Sequence, residues 1–461
     1  MKKIKYIVVA LFVVAFSSES MAQTAISSYF LDGTYYNYKL NPAMKAERGY
    51  FSLPIGNISL GTKGNIGLSD FLHPTDDGKL STFMSSKVDQ KTFLGGLPDI
   101  ARIGVGIDNS ILGIGFRMLG GYTSFGISLH SSTSLLIPKG FFEFAKKGFQ
   151  ESSYSFSGLS INTMNYASVT LGYSHEIFKG FRLGVNAKYL VGLAHADITV
   201  DKLNVELSED RWMIESHARA QAAIYCQANV TMDENNIINK VSLGKIGAPE
   251  ASGFGFDLGV IYDFNDYVPG LSISASVVDL GYIKWDHMMT AQSTDAKVEF
   301  DGFEELDYNN VDATIEKELE MLGNDASKMI ELSYVDSKPA ITHLSPTMYL
   351  GLEYNLPFYR RFSVGALYSQ RFSEFECDRT FQARGYLNWS PLNWLEFSAN
   401  YGYTTYGQSL GWLFNFHVKG FHLFLGSDYM LTKVMPRYYI PVNDLNAHIT
   451  LGITMPLGKR K

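Results

Sequence analysis

Over most of its length the chain alternates apolar residues with small or polar ones. A period of two marks β-strands whose two faces meet different surroundings. Near the C-terminus Leu395, Phe397, Ala399, Tyr401 and Tyr403 fall on one face, and Glu396, Ser398, Asn400, Gly402 and Thr404 on the other. Trp412, Phe414, Phe416 and Val418 then oppose Leu413, Asn415, His417 and Lys419, and the same pattern runs through 446–455. Earlier, 167–174 and 181–191 alternate on either side of a short Lys179-Gly180 turn. Residues 254–262 pair by pattern with 271–282, and 348–354 with 362–372. Hairpins with sides of about 9 to 11 residues have the length of tilted membrane strands.

The polar face carries Arg182, Lys188, Asp257, Glu353 and Arg384. Against lipid a midplane Arg or Lys costs about 2 to 4 kcal/mol, so these residues are expected to face a lumen. A soluble β-sandwich would also alternate, but it leaves the uniformly apolar and aromatic opposite face unexplained. Tallying segments predicts an all-β transmembrane fold, an antiparallel outer-membrane β-barrel of about 14 strands.

The two ends refine this picture. Lys2, Lys3 and Lys5 precede an apolar run over 6–16, and Ser20-Met21-Ala22 closes it, which is the pattern of a secretory signal peptide at 1–22. The run is short of the roughly 20 residues of a spanning helix, and no second such run follows. Residues 23–48, rich in Tyr and Asn, precede the first good strand at 50–61 and are expected to fold back into the lumen as a plug, leaving 49–461 as the barrel. Two stretches read as helices: 138–150, with Pro138 first and Phe142, Ala145 and Phe149 on one side, and 312–322, an acidic segment opening on Asp312. Periodicity does not decide whether such insertions lie in the lumen or on loops.

Composition agrees. Aromatics make up 14%, with Tyr 28 and Phe 31, and charged residues only 18% against about 25% in ordinary soluble chains. Loss of a leader holding three Lys and Glu19 takes the formal charge from -7 to -9, which excludes nucleic acid as a partner. Cys226 and Cys377 could pair in an oxidising compartment, but two cysteines make no disulfide framework.

Candidate chemistry is sparse. Gly407-Gln408-Ser409-Leu410-Gly411 has the G-x-S-x-G form, with Asp428 and His448 following in hydrolase order. A nucleophile elbow needs a helix after the serine, whereas 412–419 alternates as a strand, so the stretch is expected to be a hairpin turn and not a catalytic site. The histidines have no metal-ligand spacing, and no metal or cofactor is expected. Gly104-Val105-Gly106 and Gly113-Ile114-Gly115 lack the third glycine of a dinucleotide fingerprint and read as close-packed strands. Asp301, Glu304, Glu305 and Asp307 could gather around a divalent cation, but a solvated acidic loop is the simpler reading.

Tyr38-Lys39-Leu40-Asn41-Pro42-Ala43 resembles the Asn-Pro-Ala signature near the N-terminus of the long-chain fatty-acid transporter superfamily and of its secretion-accessory relatives. The stretch Ser276-Val277-Val278-Asp279-Leu280-Gly281-Tyr282-Ile283-Lys284-Trp285, with the leader and the 138–150 helix, is similar to an uncharacterised outer-membrane family known only as a domain of unknown function. These resemblances imply a barrel with an N-terminal lumen segment, in which Asn41, Pro42 and Ala43 are the candidate plug and binding residues. They also imply a protein that is not an enzyme and sits in the lipid of the outer membrane. Two roles follow as expectations: passage of small hydrophobic compounds, or a non-transporting barrel that scaffolds or shuttles partner proteins at the cell surface. The chain departs from the usual barrel ending, because Pro456 to Lys461 lacks a final aromatic.

Overall fold

The computed structural model describes residues 25–31, 33–44, 46, 48–54, 56–74, 80–148, 152–207, 212–224, 226–232, 238–246, 250–293, 296–300, 332–430 and 446–458. The expected leader, the expected helix at 312–322 and the acidic cluster Asp301, Glu304, Glu305 and Asp307 lie outside them, as do the side chains of Cys226 and Cys377.

The alternating segments form an antiparallel barrel of 14 wall positions. In chain order β1 is Gly49–Ser52 continued by Asn57–Gly64, β2 Ile100–Met118, β3 Gly121–Pro138, β4 Leu159–Phe178 and β5 Phe181–Leu207. Next, β6 is Trp212–Ile224 continued by Ala251–Asp263, β7 Leu271–Ser293, and β8 Leu332–His343 continued by Thr347–Asn355. The remainder are β9 Phe362–Arg371, β10 Phe381–Leu392, β11 Leu395–Thr404, β12 Gly407–Val418, β13 Phe421–Ser427 and β14 Ala447–Leu457. Each pairs with its neighbours, and the ring closes at β1, where Ile58 faces Asn109 of β2 on one side and Leu451 of β14 on the other.

Burial follows the alternation. Leu171, Phe254, Leu387, Tyr401 and Ile449 are exposed on the outside, while Ser168, Ser398, Asn400 and Thr450 are buried inward. A closed ladder leaves no edge groups unsatisfied in hydrocarbon, and an apolar outside over a polar inside is the arrangement of an outer-membrane barrel. The protein is therefore an outer-membrane β-barrel. The five charged residues expected on the polar face all lie inward: Asp257 and Arg384 are fully buried, and Arg182, Lys188 and Glu353 partly so. Among the described residues no helix is long and apolar enough to cross a membrane.

The ends of the barrel differ. At one end Leu119-Gly120, Lys179-Gly180 and Lys419-Gly420 are two-residue turns, with positive φ at Leu119 and at each glycine as such hairpins require. The strand ends nearest both chain termini, Gly49 and Leu457, lie at this end. At the opposite end the connections from β1 to β2, β3 to β4 and β13 to β14 are long, while Thr405-Tyr406 alone joins β11 to β12, and by the rule of short periplasmic turns that end faces outward from the cell. The 138–150 helix appears there as Lys139–Lys147, on a loop and not in the lumen. Its Phe142 packs with Phe71, Phe93 and Leu94 from two helices that periodicity did not reveal, Leu68–Phe71 and Gln90–Gly96. Asp89 caps the latter by accepting from the Thr92 backbone N–H at 2.8 Å.

Three expectations shift in detail. The first strand is not continuous over 50–61, because 53–56 leaves the ladder. Ser409 sits inside β12, paired with Gly402, and the turn before it is Thr405-Tyr406. Finally, β7 changes face partway along. Up to Val278 its even-numbered residues Ser274, Ser276 and Val278 are buried, whereas beyond it Ile283 and Trp285 are buried and Leu280 and Tyr282 exposed.

Candidate functional site

Residues 25–31 and 33–44 pack among the inward-facing residues of the wall. Ser, Tyr, Asn, Gly33 and Pro42 make this segment a poor helix, and it folds as two single 3-10 turns, Ile26–Ser28 and Asn37–Lys39, whose polar groups bond to the wall. The Asp428 carboxylate accepts from the backbone N–H of Ile26 at 2.9 Å and of Ser27 at 2.8 Å. Lys39 Nζ donates to Asp108 Oδ1 at 2.9 Å, Ser110 Oγ at 2.7 Å and Ser128 Oγ at 3.0 Å. Asn186 Nδ2 donates to the Tyr38 carbonyl at 3.1 Å, and Ser276 Oγ to that of Leu40 at 2.7 Å.

Asn41, Pro42 and Ala43 form one tight turn in which Asn41 Oδ1 accepts from the Ala43 N–H at 2.9 Å. The turn presses against two wall glycines. A Cβ on Gly184 would stand 2.1 Å from the Pro42 carbonyl carbon, and one on Gly259 would stand 2.0 Å from Asn41 Oδ1. Any other residue at either place would push the turn away. These seats are visible in the alternation only as small lumen-facing residues, and nothing local says what they receive.

Beside the turn lies a buried ion cluster. Lys188 reaches Asp257 and Asp279, and the Asp279 N–H donates to Asp257 Oδ1 at 2.8 Å. Asp279 has φ +60, uncommon for a residue with a Cβ, at a bulge where the β6–β7 register jumps between Phe256/Leu280 and Leu258/Val277. The bulge produces the change of face in β7. Read by strict alternation Asp279 belongs to the lipid side, and only the extra residue turns it inward. That is why alternation reveals Lys188 and Asp257 as lumen residues but misses Asp279. The bulge falls within the 276–285 stretch that carried the family resemblance. Opposite it, β8 leaves the ladder between His343 and Thr347.

Above the plug lies a partly open cavity of about 110 Å³. Its floor includes Tyr38, Lys39 and Leu40, and its wall includes Val278, Asp279, His343 and Leu344 beside the ladder break. Its upper side is bordered by the loop 372–380, which crosses from β9 and β10 to the opposite wall. There Asp378 Oδ1 accepts from Ser134 Oγ of β3 at 2.7 Å, and Glu376 pairs with Arg102 of β2.

The apparent hydrolase residues do not form a catalytic set. Ser409 Oγ is buried with no hydrogen-bond partner. Asp428 and His448 do meet, and His448 Nε2 lies 2.7 Å from a different serine, Ser59. However, His448 Nδ1 is 2.9 Å from the Asp428 backbone N–H and 3.5 Å from its carboxylate. The N–H makes Nδ1 the acceptor, so Nε2 carries the proton and donates to Ser59, the reverse of what a general base needs. Among the described residues no group of three or more His, Cys, Asp or Glu is placed to hold a metal ion.

Comparison with solved structures finds low likeness. The Pseudomonas putida toluene transporter TodX aligns with TM-score 0.38 and 8% identity over 96% of each chain. A Pseudomonas aeruginosa FadL homologue aligns with TM-score 0.43 and 11% identity, over 95% of this chain and 96% of that one. No curated protein matches the sequence. A family profile does match, over residues 42–428, from Pro42 in the plug turn to the Asp428 that holds Ile26 and Ser27, and the chain belongs to that family, the Family of unknown function (DUF5723).

Proposed function

We propose that the barrel passes small, largely apolar compounds across the outer membrane, with the lumen cavity as the holding site and the 25–44 segment as its gate. The observation that carries this reading is the position of the cavity, which ends at the Asp279 bulge and the 343–347 interruption of β8. At membrane depth, backbone outside a ladder is tolerated where it lines a cavity or lies buried in protein. In this reading the side exit lies at that interruption, where the hydrogen bond from the Leu344 N–H to the Gly281 carbonyl, 2.9 Å, spans the gap in the ladder. Met164, Tyr166, Val278, Leu344 and Tyr349 offer an apolar surface on the way. In this reading Asn41, Pro42 and Ala43 form the movable floor, because their turn is held by packing on glycines and by hydrogen bonds.

The test is uptake of N-phenylnaphthylamine by whole cells whose lipopolysaccharide leaflet is the barrier. Expression of the wild-type chain should raise uptake over that of cells without it, and deletion of 23–48 behind an intact leader should raise it further. Uptake unchanged by both would overturn the reading.

A further inference from the structure

The cavity lining holds two hydrogen-bond donors that the protein leaves unused. Asn162 is 5% exposed and its Nδ2 has no acceptor, and Arg371, a half-buried residue, has a buried Nε that lacks one too. Other cationic donors there are taken: Lys39 by Asp108, Ser110 and Ser128, and Lys188 by Asp257 and Asp279. His130 is held between Asp108 at 3.0 Å and Ser168 at 2.8 Å. Buried donors without partners are uncommon in folded proteins and destabilise them, so two in one cavity point to an acceptor that arrives from outside.

Charge limits what that acceptor can be. Asp108, Asp257, Asp279 and Asp378 line the cavity against Lys39, Lys188 and Arg371. With His130 and His343, which also line it, uncharged, four carboxylates face three cations and no cation is left uncompensated for an incoming anion. Carrying a carboxylate into that enclosure would add a buried charge without a counter-ion. An uncharged carbonyl oxygen satisfies the orphan donors without that cost. The rest of such a molecule would lie against Met164, Tyr166, Leu344 and Phe375.

We infer that the cavity binds uncharged amphiphiles with a carbonyl head, amides or esters, through Arg371 and Asn162, and discriminates against the corresponding carboxylates. This inference rests on the passage reading for its place in function, but binding can be measured apart from flux.

The test is equilibrium dialysis of the mature chain in nanodiscs against hexanamide and hexanoate, with empty nanodiscs as the reference for lipid partition. Hexanamide should bind saturably, with hexanoate at least about tenfold weaker. Arg371→Lys keeps the cation but removes Nε, and Asn162→Leu removes the amide; each should weaken hexanamide about tenfold. Equal binding of hexanoate, no saturable hexanamide, or unchanged affinity in Arg371→Lys would overturn the proposal. If Asn162→Leu fails to give a folded, heat-modifiable barrel, Arg371→Lys alone decides. Saturable hexanamide without cellular uptake would remove the passage reading and keep the site, whereas uptake without saturable binding would remove the site alone.

Discussion

Lys188 Nζ stands 2.7 Å from Asp257 Oδ1 and 2.7 Å from Asp279 Oδ1, so one ammonium on β5 joins the regular strand β6 to the bulge of β7. The cluster is buried, and its worth lies less in net attraction than in what its loss would leave. Lys188→Met leaves two neighbouring carboxylates without a cation and should destabilise the barrel by about 3 to 5 kcal/mol. Guanidinium unfolding in lipid vesicles checks this. The double variant Lys188→Met with Asp257→Asn should recover part of the loss, and a double variant no better than the single would contradict the account.

The hold on the N-terminal segment can be loosened at one carboxylate. Asp428→Ala removes the acceptor for the backbone N–H groups of Ile26 and Ser27, bonds to a charged group worth about 1.5 to 3 kcal/mol each. Hydrogen exchange at those two amides should accelerate by tenfold or more while the amides of β10 and β11 stay protected. Uniform acceleration over the whole wall would mean that Asp428 supports the barrel and not the segment.

Gly184 and Gly259 should tolerate no side chain while the plug is seated. Gly184→Val would drive a methyl-bearing carbon into Pro42, and its expected consequence is displacement of the 25–44 segment from an otherwise folded barrel. Single-channel recording should then show a larger ion conductance than that of the wild-type chain. Wild-type conductance in a folded Gly184→Val barrel would show that the segment accommodates the bulk in place.

Leu352 lies on the outer face of β8, next to inward Gly351 and partly inward Glu353. Leu352→Arg should cost about 2 to 4 kcal/mol if that face meets hydrocarbon. A loss under about 1 kcal/mol in vesicle unfolding would move this position out of the membrane core.

Ser409→Ala should be nearly silent. The hydroxyl is buried without a partner, so removing it is expected to be neutral or stabilising by up to about 1 kcal/mol, and to change no esterase activity measured on purified protein. Loss of a measurable esterase activity would restore the hydrolase reading.

Much of the wall was legible in the sequence because its cause is local. Each strand between lipid and lumen must alternate, and residues such as Phe397 and Ser398 declare their faces without reference to any partner. The features that make the candidate site are not local. Asp279 faces inward only because a bulge in β7 answers the geometry of β6, and no alternation rule placed along a single strand can foresee it. Asp378 belongs to a short polar loop by every sequence criterion, and its position across the lumen depends on Ser134, more than two hundred residues away. Asn41-Pro42-Ala43 stood out as a family-like signature and candidate plug, but its seat became apparent only when Gly184 and Gly259 came together from adjacent strands. Ser409 erred for a simpler reason, since the two flanking glycines suggested a turn where the chain had already begun a strand.

The segment in the lumen runs through Arg48 directly into Gly49 of β1, the strand that seals the ring against β14. A chain that closes its cylinder at the strand next to its own leading end cannot complete the seam and leave that end undecided. Whichever way residues 33–44 lie when β1 meets β14 is the way they are enclosed. Biogenesis then sets the state from which the segment starts, and any later movement of it takes place inside a ring already closed.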